Sequence, residues 1–144
     1  MTVSHILKAK GGEVITAAAS AKVSDIAKIL SEKRIGAVVI IGAGGKIEGI
    51  VSERDVVRHV GKDGAKALEL PVSAIMTKNV RTAKEMDSEA ALMTLMTEHR
   101  IRHLPIVTDG KMVGMISIGD VVKYLIEAIE RETDDLKAYI ASAG

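Results

Sequence analysis

The chain has 144 residues, 47% of them hydrophobic and 27% charged, with a formal net charge of +1. That is enough chain to bury a real core, and it contains no apolar run of the roughly 18 residues that a membrane span requires. Basic residues are interspersed with acidic ones, and Cys, Phe and Trp are absent. This argues against a nucleic-acid stripe, a disulfide framework, thiol catalysis and stacking platforms for single-stranded bases.

In chain order, residues 1–12 read as an N-terminal extension without the pattern of a secretory signal, so the expected location is the cytoplasm, with no nucleic-acid or membrane partner. Val14-Ile15-Thr16 reads as a short extended segment. Val23, Ile26, Ala27 and Leu30 then share one face of a helix over residues 23–33. Residues 37–41 are continuous and apolar, and Gly42-Ala43-Gly44-Gly45-Lys46 turns them into residues 47–51, which predicts a buried hairpin. That glycine run is not a nucleotide-hydrolase loop, because position 40 holds Ile where the pattern needs its first glycine. A helix follows over residues 52–60.

Residues 62–74, with Lys62-Asp63-Gly64 and Leu70-Pro71, read as a linker. The same order then returns: Val80-Arg81-Thr82 extended, and a helix over residues 88–99 with Leu92, Leu95 and Met96 inward. Strands follow at residues 103–107 and 112–116 around the turn Asp109-Gly110. A helical pattern runs on from Ile118, with a break expected near Glu132-Thr133-Asp134. The expected layout is therefore one unit at 13–61, a second at 75–130 and a C-terminal helix at 131–144.

The repetition is explicit in the residues. Gly49-Ile50-Val51-Ser52-Glu53-Arg54-Asp55 returns 65 positions later as Gly114-Met115-Ile116-Ser117-Ile118-Gly119-Asp120, and Arg34-Ile35 returns as Arg100-Ile101. Each unit reads β-α-β-β-α, and a half that small exposes too much of its sheet to stand alone. The expected fold is α/β (α+β), with two such units packed together. Apolar helix surface left over predicts a homodimer.

The repeated phrase also carries chemistry. An ionised carboxylate, Asp55 or Asp120, accepts from both hydroxyls of a ribose, while Ser52 and Ser117 sit where a strand gives way to a helix and can receive a phosphate. Ser-x-x-Asp is equally a capping box, with the serine capping the helix and the carboxylate reaching back. The four histidines, His5, His59, His99 and His103, lack metal-ligand spacing, so neither a metal nor a catalytic group is expected.

On the two Gly-x-x-Ser-x-x-Asp phrases, the segment Arg102-His103-Leu104-Pro105-Ile106-Val107 and the Met76-Thr77 phrase, the chain resembles the tandem cystathionine-β-synthase (CBS) domain pair, or Bateman module. The resemblance implies a pseudo-twofold pair with adenosyl ligands in clefts between the units. One cleft would join Ser52, Arg54 and Asp55 to Val80, Thr82, Arg102 and His103. The other would join Ser117 and Asp120 to Ile15, Thr16, Gly36 and Ala37. In these implied roles the aspartates hold ribose, and Ser52, Arg54, Arg102, His103 and Ser117 hold phosphate. Ile15, Thr16, Gly36, Ala37, Val80 and Thr82 line the base pocket. The function implied is a non-catalytic sensor that passes its ligand state to a downstream protein. AMP ranks first among its ligands, ahead of ADP, ATP, NAD and S-adenosylmethionine. The alternatives are a constitutive interaction module with vestigial clefts and a nucleotide hydrolase.

Overall fold

The first sheet is built on β2 (Ala37–Ile41), whose Ala37, Val38, Val39 and Ile40 are all buried. Burial on both faces is why the segment reads as a continuous apolar run instead of an alternating one. In this computed structural model, which describes residues 2–143, β2 pairs in parallel with β1 (Thr16–Ala17) and antiparallel with β3 (Ile47–Ser52). The second sheet has two antiparallel strands, β4 (His103–Thr108) and β5 (Lys111–Ser117). The extended segment expected at residues 80–82 forms no strand. Only Ala83 pairs, through a single parallel bridge to Ile106, in the place where β1 sets Thr16 against Val39.

Among the described residues five α-helices surround the sheets: α1 (Val3–Lys10), α2 (Val23–Lys33), α3 (Glu53–Asp63), α4 (Glu89–His99) and α5 (Ile118–Ala143). The Arg-Ile repeat is a helix terminator. Arg34 and Arg100 close α2 and α4 in left-handed conformations, φ 54° and 53°, and their N–H groups return to the Leu30 and Met96 carbonyls. The amides of Ile35 and Ile101 donate to the same two carbonyls, a left-handed cap that satisfies the last turn.

Each unit is closed by the segment that precedes its partner. Val72 and Ile75 lie in the first core with Val23, Ile26, Leu30, Val38, Ile40 and Val51. Val3, Ile6 and Leu7 lie in the second with Leu92, Met96, Leu104, Ile106, Ile116 and Val121. Thus residues 1–12, read as an extension, supply α1 to the second core, and residues 62–74, read as a linker, supply Val72 to the first. The exchange explains the glycine that opens each repeated phrase. A Cβ at Gly49 would lie 2.5 Å from Met76 Sδ, and one at Gly114 would lie 2.5 Å from Leu7 Cδ2. These glycines admit the exchanged segment. Each side chain so buried contributes about 1.5–3 kcal/mol, so the exchange binds the halves strongly.

α5 runs unbroken for 26 residues through Glu132-Thr133-Asp134, where a break is expected. Among the described residues no helix is long and apolar enough to cross a membrane.

Candidate functional site

Ser52 ends β3 in an extended conformation and caps α3. Its hydroxyl accepts from the Asp55 amide at 3.3 Å, and Asp55 Oδ2 accepts from the Ser52 amide at 2.9 Å and the Ser52 hydroxyl at 3.1 Å. The capping box therefore forms, and it fixes the carboxylate at the positive end of the helix. Asp55 is 7% exposed, and its second oxygen, Oδ1, accepts only from the exposed Arg58 guanidinium at 3.3 Å. One oxygen orients the group; the other faces a cleft of about 210 Å³.

That cleft lies between the units. Gly36, Ala37, Ile50, Ser52, Glu53, Arg54, Asp55, Arg58 and Thr77 line one side, and Arg100, Ile101, Arg102 and His103 line the other. Four guanidiniums against two carboxylates make it a site for an anion, and a guanidinium fork suits phosphate. The His103 ring lies over Gly36, where an added Cβ would come within 2.8 Å of Cε1. Burial, then the Lys10 charge, hold the His103 imidazole below its ordinary value of 6.5 against the opposing pull of Glu53 and Asp120. At neutral pH the ring is uncharged and has one N–H to donate.

The second Ser-x-x-Asp phrase caps α5 in the same way. Asp120 Oδ2 accepts from the Ser117 amide at 2.8 Å, and the Asp120 amide donates to the Ser117 hydroxyl at 3.1 Å. Here Lys10 of α1 intervenes. Its ammonium donates at 2.6 Å to Asp120 Oδ2 and at 2.6 Å to the Met115 carbonyl. Burial pushes the Asp120 carboxyl up, but the Lys10 hydrogen bond and charge together with Ser117 outweigh it and hold the group below the usual carboxylate range. A hollow of about 260 Å³ beside this pair is lined by Ile6, Ala9, Lys10, Asp120, Lys123, Tyr124 and Glu127.

Ser52, Arg54, Asp55, Arg102 and His103 thus meet in one cleft, as the resemblance implies. Val80, half-buried, and Thr82, exposed, do not line it. Gly36 and Ala37, expected opposite Ser117 and Asp120, line this first cleft instead, because Ala37 pairs with Ser52 in the sheet register. Ile15 and Thr16 lie beside β2, where the Val39 amide donates to the Ile15 carbonyl, and neither lines the hollow around Asp120. Ser117 does not line that hollow either; its sheet partner is His103.

Sequence reasoning missed Arg58, Thr77, Arg100 and Lys10. The repeat pointed at two of them, since Arg58 follows the repeated phrase and Arg100 belongs to the repeated Arg-Ile pair. Thr77 reaches the site because its backbone pairs with Ile50, with amide-to-carbonyl bonds of 2.9 and 3.0 Å. Lys10 had no local signal, being 110 positions from Asp120.

A β-α-β-β unit and an α-β-β unit whose first strand is reduced to one bridge at Ala83, with exchanged closing segments and an arginine-lined cleft between them, define a two-lobed module. The sequence profile of the CBS domain matches residues 3–62 and 72–127, and the chain belongs to that family. The fold is similar to that of the CBS-domain protein ATU1752 from Agrobacterium tumefaciens, at 41% identity and a TM-score of 0.83, covering 85% of this chain and 91% of that one. It is also similar to the CBS domain pair of protein MJ0100 in complex with 5′-methylthioadenosine and S-adenosyl-L-methionine, at 26% identity and a TM-score of 0.79, over 89% and 98% of the two chains. A third likeness is to the CBS domain protein PAE2072 from Pyrobaculum aerophilum complexed with AMP, at 26% identity and a TM-score of 0.74, over 83% and 89%. The curated relatives are longer, the match taking 71% of one and 63% of each of the next two.

Proposed function

We propose that the chain is a regulatory sensor of adenine nucleotides that binds one ligand in the arginine-lined cleft and passes its ligand state to a partner protein without catalysis. The observation that carries this reading is the buried Asp55 carboxylate, held by its own capping box in a cleft that four arginines also line, with Oδ1 bonded only to Arg58. In the proposed pose a ribose diol replaces Arg58 at Oδ1, since the Arg58 side chain is itself exposed and reaches that oxygen through one contact of 3.3 Å. Arg102 and the His103 N–H take the phosphate, and Ile50 and Ile101 flank the base. AMP ranks first; ADP, ATP, NAD and S-adenosylmethionine share its adenosine. The likeness to an AMP complex and to an S-adenosylmethionine complex supports the class of ligand.

At about 210 Å³ the cleft falls below the roughly 300 Å³ at which small-molecule sites begin, so entry has to widen it. The His103 ring packs on Gly36 across the junction of the two units, and in this reading opening the cleft there shifts one half against the other. A coupling of about 1–3 kcal/mol would suffice for regulation. Saturating AMP at 100 times its dissociation constant is expected to stabilise the fold by about 2.7 kcal/mol. The Arg102→Ala variant should bind AMP about tenfold more weakly and adenosine nearly unchanged, as read by calorimetry. Equal losses for both ligands would remove Arg102 from the phosphate site.

A second reading, a constitutive interaction module, is favoured by one observation: both aspartates already serve as helix caps. No change in melting temperature with AMP, ADP, ATP, NAD or S-adenosylmethionine would select it.

A further inference from the structure

Two arginines of this chain stand where a helix end favours glycine. Arg34 and Arg100 take the left-handed conformation that closes α2 and α4, at φ 54° and 53°. A Cβ there crowds the following carbonyl, so any residue but glycine lowers stability. The cap itself needs no side chain. The Arg100 and Ile101 amides both donate to the Met96 carbonyl, and a glycine at position 100 would keep both bonds. The cap therefore explains the conformation and not the residue that adopts it.

What separates the two arginines is their surroundings. Both are exposed, but Arg34 does not line the arginine-lined cleft, whereas Arg100 lines it from the second unit together with Arg102 and His103. Of the four arginines in the cleft, only Arg58 has an ion partner among the described residues, Asp55 at 3.3 Å. Arg54, Arg100 and Arg102 thus bring three guanidiniums to one cleft without a carboxylate in contact, although Glu53 lines it too. Like charges so gathered repel one another. Arg100 lowers the stability of the chain twice, through its backbone and through its charge, and an anion in the cleft relieves the second.

We propose that Arg100 is a phosphate-reading residue of the cleft, retained at the expense of stability, and that with Arg102 it sets nucleotides apart from nucleosides. The assignment rests on the nucleotide reading and names a residue to which that reading gives no role. A phosphate carries more oxygens than one guanidinium fork occupies, so a second arginine adds contacts in place of duplicating the first. The signature of such a residue is a gain in stability and a loss of affinity on the same substitution.

The test compares Arg100 with its repeat counterpart in the full chain. Arg100→Gly should raise the melting temperature by about 2–4 °C, as a left-handed position relieved of its Cβ does. In titration calorimetry the same variant should bind AMP roughly tenfold more weakly and adenosine equally well. Arg34→Gly should raise the melting temperature in the same way and leave AMP affinity unchanged. Arg100→Asn, which tolerates the left-handed region without a charge, should lose AMP affinity as the glycine variant does, and Arg100→Lys should recover part of the loss. Unchanged AMP affinity in Arg100→Gly overturns the assignment. So does an equal loss in Arg34→Gly, which would trace the effect to a loosened helix end, or a lower melting temperature in Arg100→Gly, which would make the side chain a structural contact. A native chain that binds neither AMP nor adenosine brings down the nucleotide reading and this assignment with it, whereas AMP bound equally by native chain and Arg100→Gly removes Arg100 alone.

Discussion

At the start of α3, Asp55 faces a cleft with four arginines, whereas at the start of α5, Asp120 faces a single lysine at 2.6 Å. The local chemistry is the same in both: a serine cap, a reciprocal carboxylate and a helix N-terminus. What differs is the segment each unit receives. The first unit receives residues 72–77, which arrive with Thr77 and leave Asp55 Oδ1 facing the cleft. The second receives α1, which brings an ammonium onto Asp120. The same phrase therefore does two jobs: in one half it presents a carboxylate to the cleft between the units, and in the other it latches the N-terminal helix.

The comparison breaks most visibly at Leu7, the residue that anchors α1 beside Gly114. Leu7→Ala should cost about 2–5 kcal/mol by denaturant unfolding, because it empties a fully packed position and loosens the helix that carries Lys10. A loss below 1 kcal/mol would mean that α1 is not part of the second core.

A smaller effect separates the two aspartates. Asp55→Asn keeps a capping acceptor but removes the charge, so AMP affinity should fall by about 1.5–3 kcal/mol, roughly 10- to 150-fold. Asp120→Asn should leave that affinity unchanged, and similar losses in both variants would contradict the assignment of unequal roles.

Much of this was legible in the sequence. The α2 face, the β2–β3 hairpin and the Ser-x-x-Asp pairs rest on contacts within a few residues, so periodicity and spacing expose them. The capping box and the carboxylate role, which sequence alone leaves as alternatives, prove geometrically compatible at Asp55, since capping uses one oxygen and leaves the other facing the cleft. The exchange of α1 and residues 72–75 was not legible, because an apolar triplet such as Val3, Ile6 and Leu7 says that it is buried and not where. The sorting of Gly36 and Ala37 into the first cleft depends on strand register, which the hairpin alone does not assign to a site. Continuity of α5 was hidden by Thr133, Asp134 and Asp135, weak helix formers that the surrounding helical residues carry through.

The smallest expected effect is on pH dependence. The folded His103 imidazole sits below its ordinary 6.5, so the unfolded chain binds this proton more readily. Stability from this group is then complete above 6.5 and declines as pH falls through 6.5 toward the folded value. His103→Gln should flatten that slope in urea titrations between about pH 7 and 5. A slope unchanged by the substitution would assign the decline to other groups.

The central claim, one cleft open and one latched, is tested most directly by the stoichiometry of AMP binding in titration calorimetry. One AMP per chain is expected for the native protein, and two for Lys10→Met, in which Asp120 loses its ammonium partner. Two per chain in the native protein, or none in either, would contradict the account.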